Sequence, residues 1–598
     1  GSEMCIRDSL DTVDYIKNMY RIRAKGALTW NIIKGLTAKT ELSLNRNWNQ
    51  EKTWDAGQTE KDNSSAKLKK SDGYGVRWAT TLNYEVQGLG DDHNLSFLVG
   101  NEVLASKSDY TEIYGVGYPE GFTMDDAFGM INMTTPSLGQ DYFKGEIGTP
   151  NHTLSWFGRA NYSYKGKYLF TFSNRWDGVS QFSAGHKWDS FPAGAIAWRI
   201  SDEPFMNVAK NWLNNLKLRV GYGITGNSGG VDAYGTTTQA YVYTGNGLTL
   251  NGQNSSFTQY TGTYGSKDLG WEKSYNWNVG LDYGILNNRV DGSIEWFKTT
   301  TKGLLFKRTL PITSGLTGWG SPLSIWQNIA ETSNQGVEVT INSHNIKTKD
   351  FSWTTSLNLS HNKNKIVKLA DLPEFIDGNY IRKEGCSYAT IYLREYAGVD
   401  PNDGRPMYYD NKEDENGNRS RNIVYDPNDA DRVELKDIYP KLTGGLMNTF
   451  NYKFIDLSFN LSFHLGGYSY DGAMYALQDD GYTAQYNKST ELRRRWKQPG
   501  DITDVPRYVY GQEYGGWWNS SRGIHSTDHL RLKSLIVGVS APQSWLRTIG
   551  INSARIYFSG TNLLTWAAYD QYDPELNGIV SYFTPPLKTF AFGLELKF

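Results

Sequence analysis

The side chains best suited to recognising a ligand fall in residues 466–528, where Tyr508, Tyr510, Tyr514, Trp517 and Trp518 accompany Arg507, with Arg493, Arg494 and Arg495 a little earlier. Flat aromatic rings stack on the apolar face of a sugar, and guanidinium, amide and carboxylate groups serve its rim of hydroxyls. Trp517 and Trp518 follow Gly515 and Gly516 and form the leading pair. Trp319, in residues 301–328, and Tyr118, in residues 105–151, are weaker candidates. The alternative is structural: such rings also pack loop against loop or sit as a girdle at a membrane boundary.

Other chemistry finds little footing. The chain has no phosphate-binding loop, HExxH, GxSxG or paired CxxC motif, and its 8 His residues are scattered. Carboxylates abound, but a glycosidase pair is defined by separation in space. Residues 400–414 are rich in Asp and Asn, yet their spacing departs from the Asp-x-Asx-x-Asx-Gly pattern of a calcium loop and reads as a solvated segment. No enzyme, cofactor or metal site is expected. A net charge of -2 with no basic block argues against nucleic acid as a partner. Cys5 and Cys386 allow one bridge at most.

The elements that must carry these loops are strands. Residues 589–598 alternate throughout, with Phe590, Phe592, Leu594, Leu596 and Phe598 on one side and Thr589, Ala591, Gly593, Glu595 and Lys597 on the other. An aromatic amphipathic strand ending on Phe suits an outer-membrane barrel. The same division recurs in Tyr74, Val76, Trp78, Leu82 and Tyr84 against Arg77, Thr81, Asn83 and Glu85, and in Ile455, Leu457, Phe459, Leu461 and Phe463 against Asp456, Ser458, Asn460 and Ser462. Mean hydropathy is low at -0.56, as expected when only alternate residues of each strand meet lipid. The 40 Tyr and 20 Trp fit girdles at the two interfaces.

Connections alternate strictly in length. Short turns are expected around Lys34–Gly35, Gln87–Asp92, Lys165–Gly166, Leu286–Arg289, His344–Asp350 and Lys453. Long polar loops are expected over 49–71, 105–151, 178–187, 226–271, 301–328, 363–441, 466–528 and 562–588, all on the opposite side. Periplasmic turns and extracellular loops give this pattern. One turn-side connection, 201–215, predicts a short helix from the spacing of Phe205, Val208 and Trp212. About seventeen strands result, an odd number where single-chain bacterial barrels have an even one. That parity predicts an incomplete barrel, which would not insert stably alone because its edge strands leave backbone groups unpaired in lipid.

Specific blocks add a resemblance. YLFTFSNRWDGVSQFSAGHKWDSFPAGAIAWRISDEPF (168–205), LKLRVGYGITGN (216–227), WEKSYNWNVGLDYGILNNRV (271–290), NQGVEVTI (334–341), FSWTTSLNLSHNKNKI (351–366), TDHLRLKSLIVGVSAP (527–542), RIYFSGTNLLTW (555–566) and YDPELNG (572–578) follow in order. Together they resemble the SusC/RagA family of TonB-linked outer-membrane transporters. Residues 1–9 match nothing downstream and read as a non-native or assembly-derived leader, and residues 10–598 as part of a receptor barrel.

The resemblance implies an all-β antiparallel barrel of about 22 strands filled by a plug in the outer membrane of a Gram-negative cell. It also implies coupling to the TonB complex through an N-terminal box, a SusD-like surface lipoprotein as lid, and oligosaccharides or peptides as cargo. Plug, box and the first strands are missing from the match. Lumen-facing Arg77, Arg159, Arg175 and Arg219 would contact the plug. Two other readings stay open: a passive outer-membrane porin, and a soluble aromatic-rich carbohydrate-binding β protein.

Overall fold

The computed structural model describes residues 13–598 apart from 58–62, 135–141, 232–234, 239, 244–248, 251–252, 255–256, 261–262, 315–316, 319–320, 370–372, 474–476, 483–486, 512–518, 547–549, 577 and 581–585. Seventeen long strands in the described residues match the expected number. They are β1 (Val13–Ile33), β2 (Leu36–Asp55), β3 (Ser65–Glu85), β4 (His93–Val116), β5 (Asn151–Tyr164), β6 (Tyr168–Val179), β7 (Trp188–Arg199), β8 (Leu213–Asn227) and β9 (Glu272–Ile285). They continue as β10 (Val290–Thr309), β11 (Ser324–Lys347), β12 (Phe351–Leu369), β13 (Leu442–Tyr452), β14 (Ile455–Leu465), β15 (His529–Ser540), β16 (Ser553–Ala567) and β17 (Thr589–Lys597). With two short strands, Tyr142–Glu146 and Thr263–Tyr264, they make a 19-stranded sheet.

The chain falls into two compact units, one of Gly1–Ala195, Gly223–Lys273 and Leu305–Asn328, the other of Ile196–Tyr222, Ser274–Leu304 and Ile329–Phe598. In the first, β1 to β6 form an antiparallel ladder of sequential neighbours. Its register explains its two faces. Leu42, Trp78, Val103 and Leu154 are cross-strand partners in one row, and the row beside it runs Glu41, Ala79, Glu102, Ser155 and Asp177. Trp78 is 53% exposed and Leu154 36%, whereas Glu102 is 8% and Ser155 0% exposed. Exposed rings over buried carboxylates invert the arrangement of a water-soluble domain and suit a wall with lipid outside.

The second unit repeats this in the ladder β11 to β17. On β17, Phe590, Phe592, Leu594 and Leu596 all stand exposed, with Phe592 at 81%. Glu595 on the other face faces Arg555 across the strand pair, which also holds Asp456 at 2.7 Å.

Short turns fall where the sequence puts them. Lys165 and Gly166 both have positive φ, at 53° and 64°, as a two-residue type I′ hairpin requires. Gly35, at φ 83°, lies so close to the Glu85 carbonyl that a Cβ would collide with it. The connection 466–528 has the expected bounds, but several other long connections are shorter than expected. β2 and β3 leave 56–64 rather than 49–71, β4 runs on to Val116, β10 to Thr309, β12 to Leu369 and β16 to Ala567. Strand pairing needs only backbone partners, so hairpins continue past the end of the apolar alternation as polar ribbons. β11 likewise reaches Lys347, leaving 348–350 as its turn. The helix expected over 201–215 is two 3₁₀ segments, Ile200–Asp202 and Pro204–Ala209, with Phe205, Val208 and Trp212 exposed rather than packed inward. Pro204 begins the second segment, and neither has the length for α-helical bonding to propagate.

A candidate binding platform on the long loops

In the second unit the connections after β12, β14 and β16 fold into small sheets of their own. Glu374–Asp377, Tyr380–Lys383, Thr390–Arg394 and Arg432–Asp437 form one; Tyr396–Val399, Pro406–Tyr409 and Ile423–Val424 form a second. Ile524–Ser526, Tyr468–Asp471 and Gly578–Val580 form a third. Ile391, Leu393 and Tyr470 are buried together, with Tyr380, Leu435, Ile438 and Ile524 packed on them. Two loops distant in sequence thus share one apolar core, and the third joins them by pairing Gly578–Val580 with the strand that holds Tyr470.

Buried charge completes the scaffold. Asp480 and Arg522 pair at 2.6 Å with side chains 0% and 6% exposed, and Lys488 reaches Asp479 at 2.7 Å. Burial pushes the Asp480 carboxyl above its ordinary range even beside Arg522. The Tyr396 and Tyr408 hydroxyls are also pushed well up by burial. These groups brace the scaffold from inside, through the Asp480–Arg522 pair and the bond from the Tyr396 hydroxyl to Asp504.

On this scaffold lies the segment carrying Arg507 and Tyr508. The Trp496 indole donates to the Pro401 carbonyl at 3.0 Å, and the Arg507 backbone N–H donates to the Gly404 carbonyl at 2.9 Å. Tyr396 Oη donates to the Asp504 carbonyl at 3.0 Å, Val509 N–H to Asp480 O at 3.0 Å and Gly511 N–H to Gly481 O at 2.9 Å. Gly404, at φ 76°, has the Trp496 ring and Arg507 Cβ against the position a Cβ would take. Residues 496–511 are therefore bound to the scaffold at four backbone points and through the Trp496 indole, while Tyr508 and Tyr510 stand 39% and 78% exposed. A rigid presentation of exposed rings is what stacking recognition needs.

Of the residues singled out from sequence, Arg507 and Tyr508 share this segment. Trp517, Trp518, Tyr514 and Trp319 lie outside the described residues, as does Cys5. Tyr118 belongs to the first unit's packing: it is 7% exposed, meets Trp54 edge-on at 5.5 Å, and donates from its hydroxyl to the Ile131 carbonyl. The carboxylates of 400–414 are engaged by their own loop. Asp400 accepts from Tyr425 Oη at 2.6 Å and from the Asn402 N–H, Asp410 from Ser420 and Asn422, and Asp414 from the Asn416 and Asn418 N–H groups. The scaffold residues Asp480, Arg522, Tyr396 and Tyr408 gave no signal in sequence, because their partners lie far along the chain, as Arg522 does from both Asp480 and Tyr396, and share no spacing.

The lumen-face arginines are largely held by the wall itself. Arg175 reaches Glu102 at 2.9 Å and Asp177 at 2.7 Å, while Arg77 bonds Glu102 and, at 2.9 Å, Glu41. Arg219 bridges Asp282 at 2.7 Å and Glu295 at 2.9 Å. Arg159 is exposed and makes no ion pair among the described residues.

Comparison with known proteins agrees with this architecture. The family described as TonB dependent receptor-like, beta-barrel matches residues 8–381. TonB-dependent receptor P3 of Formosa agariphila is 33% identical over 74% of this chain and 45% of its own length. TonB-dependent receptor SusC of Bacteroides thetaiotaomicron is 32% identical over 75% of this chain and 44% of its own. A solved chain of the RagAB peptide transporter superposes with a TM-score of 0.84 at 24% identity, over 98% of this chain and 62% of that one. The fold is thus the outer-membrane β-barrel of TonB-dependent receptors. Within that class, the chain belongs to the SusC/RagA family. It spans under half the length of the two curated relatives.

Proposed function

We propose that this chain is the barrel portion of an importer that moves oligosaccharides or peptides across the outer membrane with energy from TonB, under a SusD-like surface lipoprotein. The likeness to SusC over 75% of the chain carries the reading. The braced segment presenting Tyr508 and Tyr510 supports it, since cargo captured from outside must first meet the long loops. Trp517, Trp518 and Tyr514 continue that segment in sequence and are assigned with Arg507, Tyr508 and Trp319 to cargo contact. The lumen-facing arginines and their carboxylates offer a polar wall to a plug.

Uptake of labelled oligosaccharides and peptides by cells making the full-length receptor tests the proposal, with and without TonB and the lipoprotein. Import should fall to background without TonB. Uptake that proceeds equally without it would favour a passive pore.

A further inference from the structure

On the first loop sheet, arginine faces arginine. Strands Thr390–Arg394 and Arg432–Asp437 pair antiparallel with Arg394 and Arg432 as direct partners. Direct cross-strand partners lie on the same face, and like charges placed so repel. The other four arginines of residues 373–441 each hold a carboxylate: Arg382 with Asp377 at 2.9 Å, Arg405 with Asp403 at 2.7 Å, Arg419 with Glu434 at 2.8 Å and Arg421 with Glu395 at 3.1 Å. Neither Arg394 nor Arg432 forms an ion pair among the described residues. Arg432 donates to the Gly378 carbonyl at 3.3 Å, and Arg394 Nε is buried with no hydrogen-bond partner.

Among the described residues no carboxylate bonds either guanidinium. Burial, and then the charge of Arg432, lower the proton affinity of Arg394, while Asp426 and Asp431 act on it only through space. Asp426 is already engaged by the Asn428 N–H at 2.8 Å. The hydroxyl of nearby Tyr408 is also buried without a hydrogen-bond partner, so it too acts on Arg394 only through space. A loop that neutralises four arginines and leaves two opposed and unneutralised has a deficit of one or two anionic oxygens. A bidentate oxyanion placed between them would supply these, accepting charge-assisted bonds from both forks.

We propose that Arg394 and Arg432 form an oxyanion site for the cargo, taking a carboxylate or sulfate group carried on it. The inference rests on the import reading and narrows its cargo to anionic molecules. It is tested by titration calorimetry on the full-length receptor in detergent, with three matched pairs of probes. These are an oligogalacturonate and its methyl ester, a sulfated galactan oligomer and its desulfated form, and a short peptide with a free and an amidated C terminus.

At least one oxyanion probe should bind about tenfold or more tightly than its neutral counterpart, the scale of one charge-assisted hydrogen bond. The pair that shows the preference identifies the source of the oxyanion. The double variant Arg394→Gln with Arg432→Gln should erase the preference, and Arg421→Gln, at a paired arginine, should retain it. Heat-modifiable gel migration establishes that each variant is folded. Equal binding within every pair, a preference that survives in the double variant, or no binding at all would each overturn the site. Uptake that is independent of TonB would instead sink the import reading and leave the calorimetric preference standing.

Discussion

At the scale of single residues, loop charge decides how the platform responds to acid. Burial opposes ionisation of Glu434, but Lys383 at 2.9 Å and Arg419 at 2.8 Å outweigh it and hold its carboxyl at about 2. A depressed carboxyl stabilises the folded loop above its unfolded value of 4.5, and that contribution is lost as pH falls from there toward about 2. Hydrogen exchange over residues 374–437 should therefore rise across that window. Glu434→Gln should flatten the rise while raising exchange at neutral pH. An unchanged acid profile in the variant would remove Glu434 as the responsible group. Cargo contact has its own test at this scale: Trp517→Ala with Trp518→Ala in the full-length protein should reduce uptake at limiting substrate about tenfold or more, given stacking of roughly 0.5–1.5 kcal/mol per ring. Uptake left intact would transfer the role to Tyr508 and Tyr510.

At the scale of elements, neighbouring residues on one strand have opposite fates. Val103 shares the outward row with Trp78, whereas Glu102 is buried on the inner face between Arg77 and Arg175. Val103→Arg should cost about 2–4 kcal/mol where lipid is deepest and less toward an interface. Glu102→Gln strips two guanidinium groups of their shared partner, for roughly 1–3 kcal/mol. Unfolding in urea from lipid vesicles measures both, and a harmless Val103→Arg would reverse the assignment of faces. The faces of β3, β14 and β17 were legible in the sequence because period two is a local property. Strand length was not: beyond Leu44 and Val76, polar residues such as Gln50 and Lys70 keep pairing, and alternation carries no mark of where water begins. The platform was legible only as a density of rings near Trp517. Its core, from Ile391 to Tyr470, joins loops separated by dozens of residues, and no pattern within either loop encodes that meeting.

At the scale of the whole molecule, the apolar face accounts for where the protein resides. Trp78, Trp156 and Trp176 on the first unit's wall are each more than half exposed, and Phe590, Phe592 and Leu594 on β17 exceed 60%. Contiguous apolar surface of this kind is not tolerated in water and drives association until something covers it. Trp156 and Trp176 are direct cross-strand partners, so their rings share a level and should meet the same depth of bilayer. Trp54 is the internal contrast, since it is 4% exposed and packed with Ala66, Tyr118 and Ala127. In vesicles made from lipids brominated along their chains, Trp78→Phe, Trp156→Phe and Trp176→Phe should each diminish the quenched fraction of the full-length receptor's fluorescence, while Trp54→Phe should leave it unchanged. Quenching that tracked Trp54 and ignored Trp156 and Trp176 would place lipid against the wrong face of the sheet.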